Sequence, residues 1–336
     1  MFQLRRRSIS VSVIWGLAGA AALMQPVQAQ NQAQGDAAAG YPRQPIKIVV
    51  GFAAGGGNDL MARVLAQKMT ERLGQPVIVE NKPGAGAVIG AEAVARAAPD
   101  GATLLVAPPS TFTINPAVYS KLPYDPLKQF EFISIFATYP FLLTVTASSP
   151  AKTVAGLVAW GKANPAKANY ASTSALFQLL TELFKMKTGA PFEHIPFKGS
   201  NEMLTAVLSG ELSMAFIDAA PMMGHVKAGK ARVLATSGTT RYAELPEVPT
   251  LVEAGVAGVA VDGWTGIVAP KGTPAAIIKK LEAEVNAIVQ LADVRERFAT
   301  MGVSSAVGSS TAFRQTVERE VGMWKGVATA AKIKLD

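Results

Sequence analysis

The sequence predicts a two-lobed α/β protein, and three observations carry that prediction. Short β-branched runs alternate with helical stretches from residue 45 onward, the pattern breaks and restarts near residues 130–147, and the 336 residues exceed what one core usually serves. A single core stops growing at roughly 250–300 residues, so a chain of this length divides. The composition is that of an ordinary globular chain, 49% hydrophobic and 17% charged.

In chain order, Arg5-Arg6-Arg7, an apolar stretch from Ile9 to about Met24 and the small-residue site Val27-Gln28-Ala29 form a secretory signal over residues 1–29. Ser10, Ser12 and glycines interrupt the apolar stretch, which is short for a bilayer span of about 20 residues. The three arginines leave the general and twin-arginine export routes both open. Residues 30–40, QNQAQGDAAAG, are polar, small and aperiodic, as in a disordered leader. The expected product is a soluble periplasmic protein.

KIVVGF, PVIVE and ATLLVA then read as strands, with LMARVLAQKMTERL and AVIGAEAVARA as the helices between them. That alternation implies a parallel sheet with right-handed crossovers. FEFISIFATYPFLLTVTA, residues 130–147, reads as two extended runs broken at Tyr139-Pro140. A second series follows, with helices over 153–163, 175–188 and 200–208 and strands over 169–171, 192–196, 212–217 and 231–236. RYAELPEVPTLVEAGVAG is a loop, VDGWTGIVAP another extended piece, and Pro274 opens a terminal helical region from the first helical position. If the chain leaves one lobe near Tyr139 and returns near residue 262, residues 41–139 and 262–336 form lobe 1 and residues 140–261 an inserted lobe 2. Each lobe is then a sheet flanked by helices, joined by a two-strand hinge.

The glycine-rich loop GFAAGGGNDL, residues 51–60, stands between a strand and a helix. Gly51 and Gly56 have P-loop spacing, but Gly57 and Asn58 occupy the places of the Lys and Ser/Thr that nucleotide hydrolysis needs. Gly55 and Gly57 begin a dinucleotide pattern that Leu60 breaks. What survives is general: unpaired N–H groups, a partial positive charge at a helix start and close backbone approach suit an anion, a carboxylate as well as a phosphate. Asn58 and Asp59 can equally cap the helix. In Pro83–Gly90, a second glycine-rich turn, tight turning and helix packing outweigh a ligand role.

No cysteine is present, which excludes disulfides and thiolate metal sites. The two histidines, His194 and His225, lack metal-ligand spacing and read as structural or surface residues, and no catalytic motif occurs. The formal charge of +8 falls when the signal is removed, and no basic stripe with interleaved aromatics appears. Anionic small molecules or a membrane-facing partner fit this better than nucleic acid. The expectation is a binding protein with no metal and no cofactor, rather than an enzyme.

Several segments together carry a family resemblance: Pro45-Ile46 through Val49-Val50-Gly51-Phe52 to Gly55-Gly56-Gly57-Asn58-Asp59, then LGQPVIVENKPGAGAVIGAEAVARAAPDGATLL, INPAVYSKLPYDPLKQF, ELFKMKTGAPFEHIPFKGS, HVKAGKARVLATSGTTR, LPEVPTLVEAG and GWTGIVAPKGTP. In this order they closely resemble the solute-binding proteins of tripartite tricarboxylate transporters, the Bug family, over essentially the whole mature chain. The resemblance implies a type II periplasmic binding fold whose two lobes close on an organic acid and deliver it to a membrane permease. A sensory receptor as recipient uses the same fold, and an exported enzyme is the remaining class. A monomer without nucleic-acid partners is expected.

The resemblance also implies the contacts. Phe52, Ala53, Gly55, Gly56, Gly57, Asn58 and Asp59 match the proximal carboxylate loop, Ser110 and Thr111 the loop after the third strand, and Ser172, Thr173 and Ser174 the loop after the Asn169-Tyr170-Ala171 strand. Phe197 falls in the Pro196–Gly199 turn, and Asp218 is the acidic residue after a strand. Tyr170 to Gln178 departs from the family pattern, lacking its glycines and histidine. Phe177 and Gln178 there either face the cleft or, for Phe177, join the core of an amphipathic helix with Leu180 and Leu183.

Overall fold

The computed structural model describes residues 40–197 and 200–335, without the side chains of residues 200 and 201. The signal over residues 1–29, all but the last residue of the leader and the Lys198-Gly199 turn lie outside the described residues.

The first strands form because apolar side chains alternate between two covered faces. In β1 (Ile46–Val50), Ile46, Ile48 and Val50 enter one core and Val49 another. β1 pairs in parallel with β2 (Val77–Asn81) and β3 (Thr103–Ala107). The helix α1 (Gly57–Leu73) returns from β1 to β2, burying Met61, Val64, Leu65 and Met69 on the sheet, and α2 (Val88–Ala95) does the same on the other face. A π-helical turn, Ser110–Ile114, and the short α3 (Asn115–Val118) follow.

The expected break at Tyr139-Pro140 is absent. One strand, β4 (Phe130–Thr146), runs through it. Its first part pairs antiparallel with β9 (Asp262–Pro270) as far as Pro140 opposite Asp262, and from Phe141 onward it pairs with β7 (Ala215–Asp218) and β8 (Ala231–Thr236). Proline has no N–H to donate, and Pro140 stands where β4 changes partners, so it breaks no ladder. The parallel pairing expected of the first three strands is present, and antiparallel strands extend it. Among the strand ladders of the described residues, β1–β2, β1–β3 and the small β5 (Asn169–Ser172) with β6 (Glu193–Pro196) are parallel and the other ladders antiparallel. The strand that antiparallel pairing inserts beside β3, β9, comes from over 150 residues further on, which local periodicity does not reveal.

Ser237, fully buried, staples the crossing strands. Its hydroxyl donates to Val261 O at 2.6 Å and accepts from Phe141 N at 3.1 Å. Around the second part of β4 pack α4 (Val154–Ala163), α5 (Ala175–Thr188), α6 (Ser200–Ser209) and α7 (Ala219–Lys227). Around the first lie α8 (Ala275–Ile288) and α9 (Ala292–Thr300), with β10 (Ser304–Ser305) at the sheet edge. Pro274 precedes α8 as its cap residue rather than its first turn.

The last helix, α10 (Ser310–Ala331), opens on Ser309, whose side chain accepts the Ala312 N–H at 3.1 Å. Phe313, Val317 and Val321 pack beside the first part of the sheet, Trp324, Val327 and Ala328 beside the second. The spacing keeps one apolar stripe along α10 while the surface it meets changes.

Candidate functional site

The loop between β1 and α1 owes its shape to Asp59. This side chain is 1% exposed and points under the loop, where one oxygen accepts the Gly55 N–H at 2.8 Å and Arg63 Nε at 2.9 Å, and the other accepts Asn81 Nδ2 at 2.9 Å. Asn81 also donates to Phe52 O at 3.1 Å. Burial alone raises the Asp59 carboxyl, but the Arg63, Gly55 and Asn81 hydrogen bonds and the Arg63 charge outweigh it and hold the group at about 2. Gly55 turns the chain at φ 84°, a conformation that a side chain would strain.

Asp59 is buried while Ala53 to Gly57 are exposed, so it braces the loop rather than presenting a carboxylate to solvent. Gly56 caps α1 without a side-chain bond. The N–H groups of the first turn, Gly57 and Asn58 among them, have no intrahelical partner. Asn58 is no cap either: its Oδ1 accepts from Thr265 Oγ1 on β9 at 3.2 Å.

Across from this helix start lies another. β7 ends at Asp218, and α7 begins at Ala219 with Asp218 in extended conformation and no side-chain cap. Gly57, Asn58, Met61, Asp218 and Ala219 to Pro221 line a cavity of about 310 Å³, together with Tyr139 and the Met301–Val303 segment. Burial pushes the Asp218 carboxyl up to about 6. Tyr139, raised by burial and by the Asp218 charge, hydrogen-bonds Thr265, the residue that holds Asn58. Gly263 lies against the Tyr139 ring, and a Cβ there would collide with it.

Ser110 and Thr111 open the π-helical turn, which touches α5. Thr111 is 1% exposed, its carbonyl accepts from Tyr124 OH at 2.5 Å, and its buried hydroxyl has no protein partner among the described residues. The Pro83–Gly90 turn packs beside the first loop, its Ala87 and Gly90 against Gly51, and Asn115 holds its Gly86 carbonyl at 2.9 Å.

Ser172 ends β5, Thr173 is half-buried, and the exposed Ser174 precedes α5 without capping it by its side chain. Phe197 N donates to Ser172 O at 3.4 Å, which brings the two loops together. Phe177 belongs to the core, edge-on to Phe141 at 5.3 Å, and Phe141 in turn meets Tyr139 at 5.8 Å. Gln178 reaches His194, whose other ring nitrogen lies 2.7 Å from Ser172 Oγ.

The structure thus gathers Gly57, Asn58 and Asp218 around one cavity and joins Ser172 to Phe197 apart from its lining. Sequence reasoning did not place Tyr139 or the Met301–Val303 segment at this cavity, nor Thr265 behind Asn58. The GWTG segment containing Thr265 was visible, but only its pairing with β4 places it beside Asn58.

Residues 61–333 match the model of the tripartite tricarboxylate transporter family receptor. A Cupriavidus necator protein encoded in the gbd 5′ region is 38% identical over 311 residues, 91% of this chain and 93% of its own. Protein BugT of Bordetella pertussis is 34% identical over 299 residues, 88% of this chain and 92% of its own. Two solved Rhodopseudomonas palustris structures superpose well. One, with adipate, is 31% identical at TM-score 0.74, covering 88% of this chain and 99% of that one. The other, MatC with bound malate, is 30% identical at TM-score 0.70, covering 85% and 99%.

Proposed function

The chain belongs to the tripartite tricarboxylate transporter receptor family, and from that premise we propose that it is a periplasmic solute-binding protein that captures a small organic carboxylate between two lobes. The observation that carries this reading is the facing of two helix starts without side-chain caps, α1 and α7, across a cavity of about 310 Å³. Free N–H groups and the positive ends of both helix dipoles favour an anion there. Relatives solved with adipate and malate support a dicarboxylate as ligand class.

In this reading the proximal carboxylate meets N–H groups among Ala53 to Asn58 other than that of Gly55, which Asp59 holds, and Ser110 and Thr111 stand beside it. Thr111 brings a buried hydroxyl that a ligand or a water can satisfy. Ser172 to Ser174 and Phe197 receive the distal end. Charge-assisted hydrogen bonds contribute on the order of 1.5–3 kcal/mol each, and a micromolar complex needs about 8 kcal/mol net, so three or four suffice with some apolar burial.

Residues 41–139 and 262–336 form one lobe and residues 140–261 the other, with hinges where β4 passes Pro140 and where the chain enters β9. The last two turns of α10, from Trp324 on, pack against the core of the second lobe and so bridge the two. Closure follows from a ligand that touches both lobes at once. The closed monomer delivers its ligand to membrane permease subunits after export directed by residues 1–29.

Thermal unfolding against mono-, di- and aromatic carboxylates tests this. A ligand at a hundred times its dissociation constant stabilises by about 2.7 kcal/mol. The proposal fails if neutral sugars or amides raise the melting temperature and no organic acid does.

A further inference from the structure

His194 stands outside the cavity described above, yet it is held on three sides. Parallel pairing places His194 opposite Tyr170, and Ser172, two residues on, shares that face of the strand. The imidazole lies over the Tyr170 ring at 5.0 Å between centroids. Tyr170 is itself fixed, its hydroxyl donating to Glu182 at 2.6 Å, while Lys185 binds the same carboxylate oxygen at 2.7 Å and sits over the Tyr170 ring. Of the ring nitrogens, Nε2 is 2.7 Å from Ser172 Oγ and Nδ1 is 3.4 Å from Gln178 Nε2.

Those partners determine where the proton sits. The Gln178 amide turns its nitrogen, a donor, toward Nδ1, and in that orientation Nδ1 presents its lone pair. A neutral imidazole then carries its hydrogen on Nε2 and donates it to Ser172 Oγ. Burial lowers the His194 pKa, with Lys185 also lowering it and Glu182 opposing, so the ring is neutral at pH 7. A hydroxyl that accepts from His194 keeps its own hydrogen for another acceptor, and no side-chain or backbone acceptor meets it among the described residues.

We propose that His194 is a positioning residue that turns the Ser172 hydroxyl, at the end of β5, into a donor, selecting ligands whose distal end offers an oxygen acceptor, a carboxylate or carbonyl, over those ending in an amine. This deepens the carboxylate reading and names its second contact. Gln178 fixes the tautomer, Tyr170 fixes the ring plane, and Ser172 makes the contact.

With only two histidines in the chain, imidazole ¹⁵N–¹H correlation spectra resolve both, and His225→Gln assigns them. The unliganded protein is expected to show His194 neutral and protonated on Nε2. A hydrogen on Nδ1, a charged ring at pH 7 or averaging between tautomers overturns the assignment. Calorimetry with adipate and malate reads the consequence. Glutamine offers an amide nitrogen in the place of Nε2, so His194→Gln keeps affinity within about threefold, while His194→Leu and Ser172→Ala each weaken binding by about tenfold or more. The double variant His194→Leu/Ser172→Ala is expected to bind like Ser172→Ala alone, because both remove one contact. Wild-type affinity in His194→Leu, or losses that add, sinks the proposal. If neither acid binds the parent protein, the carboxylate reading fails, while the tautomer still decides what His194 does to Ser172.

Discussion

The Asp59 carboxylate accepts the Gly55 N–H at 2.8 Å from beneath the loop that leaves β1. A side chain three positions into a helix reaching back to the chain before its cap resembles half of a capping box, with the shorter Asp where Gln or Glu usually stands. The surface of the loop is thereby preorganised, its N–H groups aimed before any ligand arrives, so ordering costs fall on the free protein rather than on binding.

Replacing Asp59 with Ala is therefore expected to weaken carboxylate binding and lower stability together. The group is held at about 2, below its ordinary 3.8. A depressed carboxyl stabilises the fold fully above its unfolded pKa and loses that contribution as pH falls through the folded one, so the effect disappears between pH 4 and 2. Its size at neutral pH is on the order of 2 kcal/mol. Urea unfolding of both proteins at pH 7 and pH 3 checks this, the gap narrowing at the lower pH.

Asp218 has the opposite sign. Its carboxyl is raised to about 6, so it favours the fold below pH 4 and loses that contribution as pH rises through 6. Above that, an ionised Asp218 repels an anion in the shared cavity. A bound dicarboxylate that raises Asp218 by one further unit must bind about fivefold more weakly at pH 8 than at pH 6, because half of Asp218 is already ionised in the free protein at pH 6. Asp218→Asn is expected to flatten that profile in calorimetry. An unchanged slope returns Asp218 to a purely structural place at the end of β7.

Much of this was legible in the residues, and the limits have physical causes. The β1–loop–α1 unit shows itself because apolar alternation, glycines and a helical stripe follow one another within 30 residues. Pro140 misled because the rule that proline ends a ladder is local, whereas its tolerance depends on β4 exchanging β9 for β7 and β8. Helical spacing left Phe177 open between the cleft and a core with Leu180 and Leu183, and Phe141 supplied the partner that makes it core. His194 looked like an isolated histidine because its partners, Ser172 and Gln178, are joined to it only by the β5–β6 register and the first turn of α5.

Thr265→Val tests the tie between the first loop and the crossing strand. It keeps a branched side chain in a fully buried place and removes the hydroxyl that holds Asn58 and Tyr139. A net loss of about 1 kcal/mol in ligand binding is expected, about fivefold in affinity, if Asn58 needs that bond to orient the start of α1. Calorimetry at fixed pH measures it. An equal loss of folding stability without loss of affinity would confine the bond to packing.

Glu320 on α10 gives a second pH effect, away from the ligand. Trp264 Nε1 donates to both its oxygens at 3.1 Å, and Thr113 Oγ1 reaches one at 3.3 Å, so a single carboxyl joins α10, β9 and the π-helical turn. Burial raises it to about 7 against the opposing pull of Trp264, Arg319 and Thr113. A raised carboxyl stabilises below its unfolded pKa, near 4.5, and that stability is lost as pH climbs through 7. The loss is on the order of 2–3 kcal/mol between pH 5 and pH 8. Glu320→Gln keeps an acceptor for Trp264 and cannot ionise, so its melting temperature should vary less across that range and exceed that of the parent at pH 8. Because α10 packs beside both parts of the sheet, the parent's loss above pH 7 should appear as one cooperative transition moving to lower temperature. Separate transitions for the two lobes would show that Glu320 does not couple them.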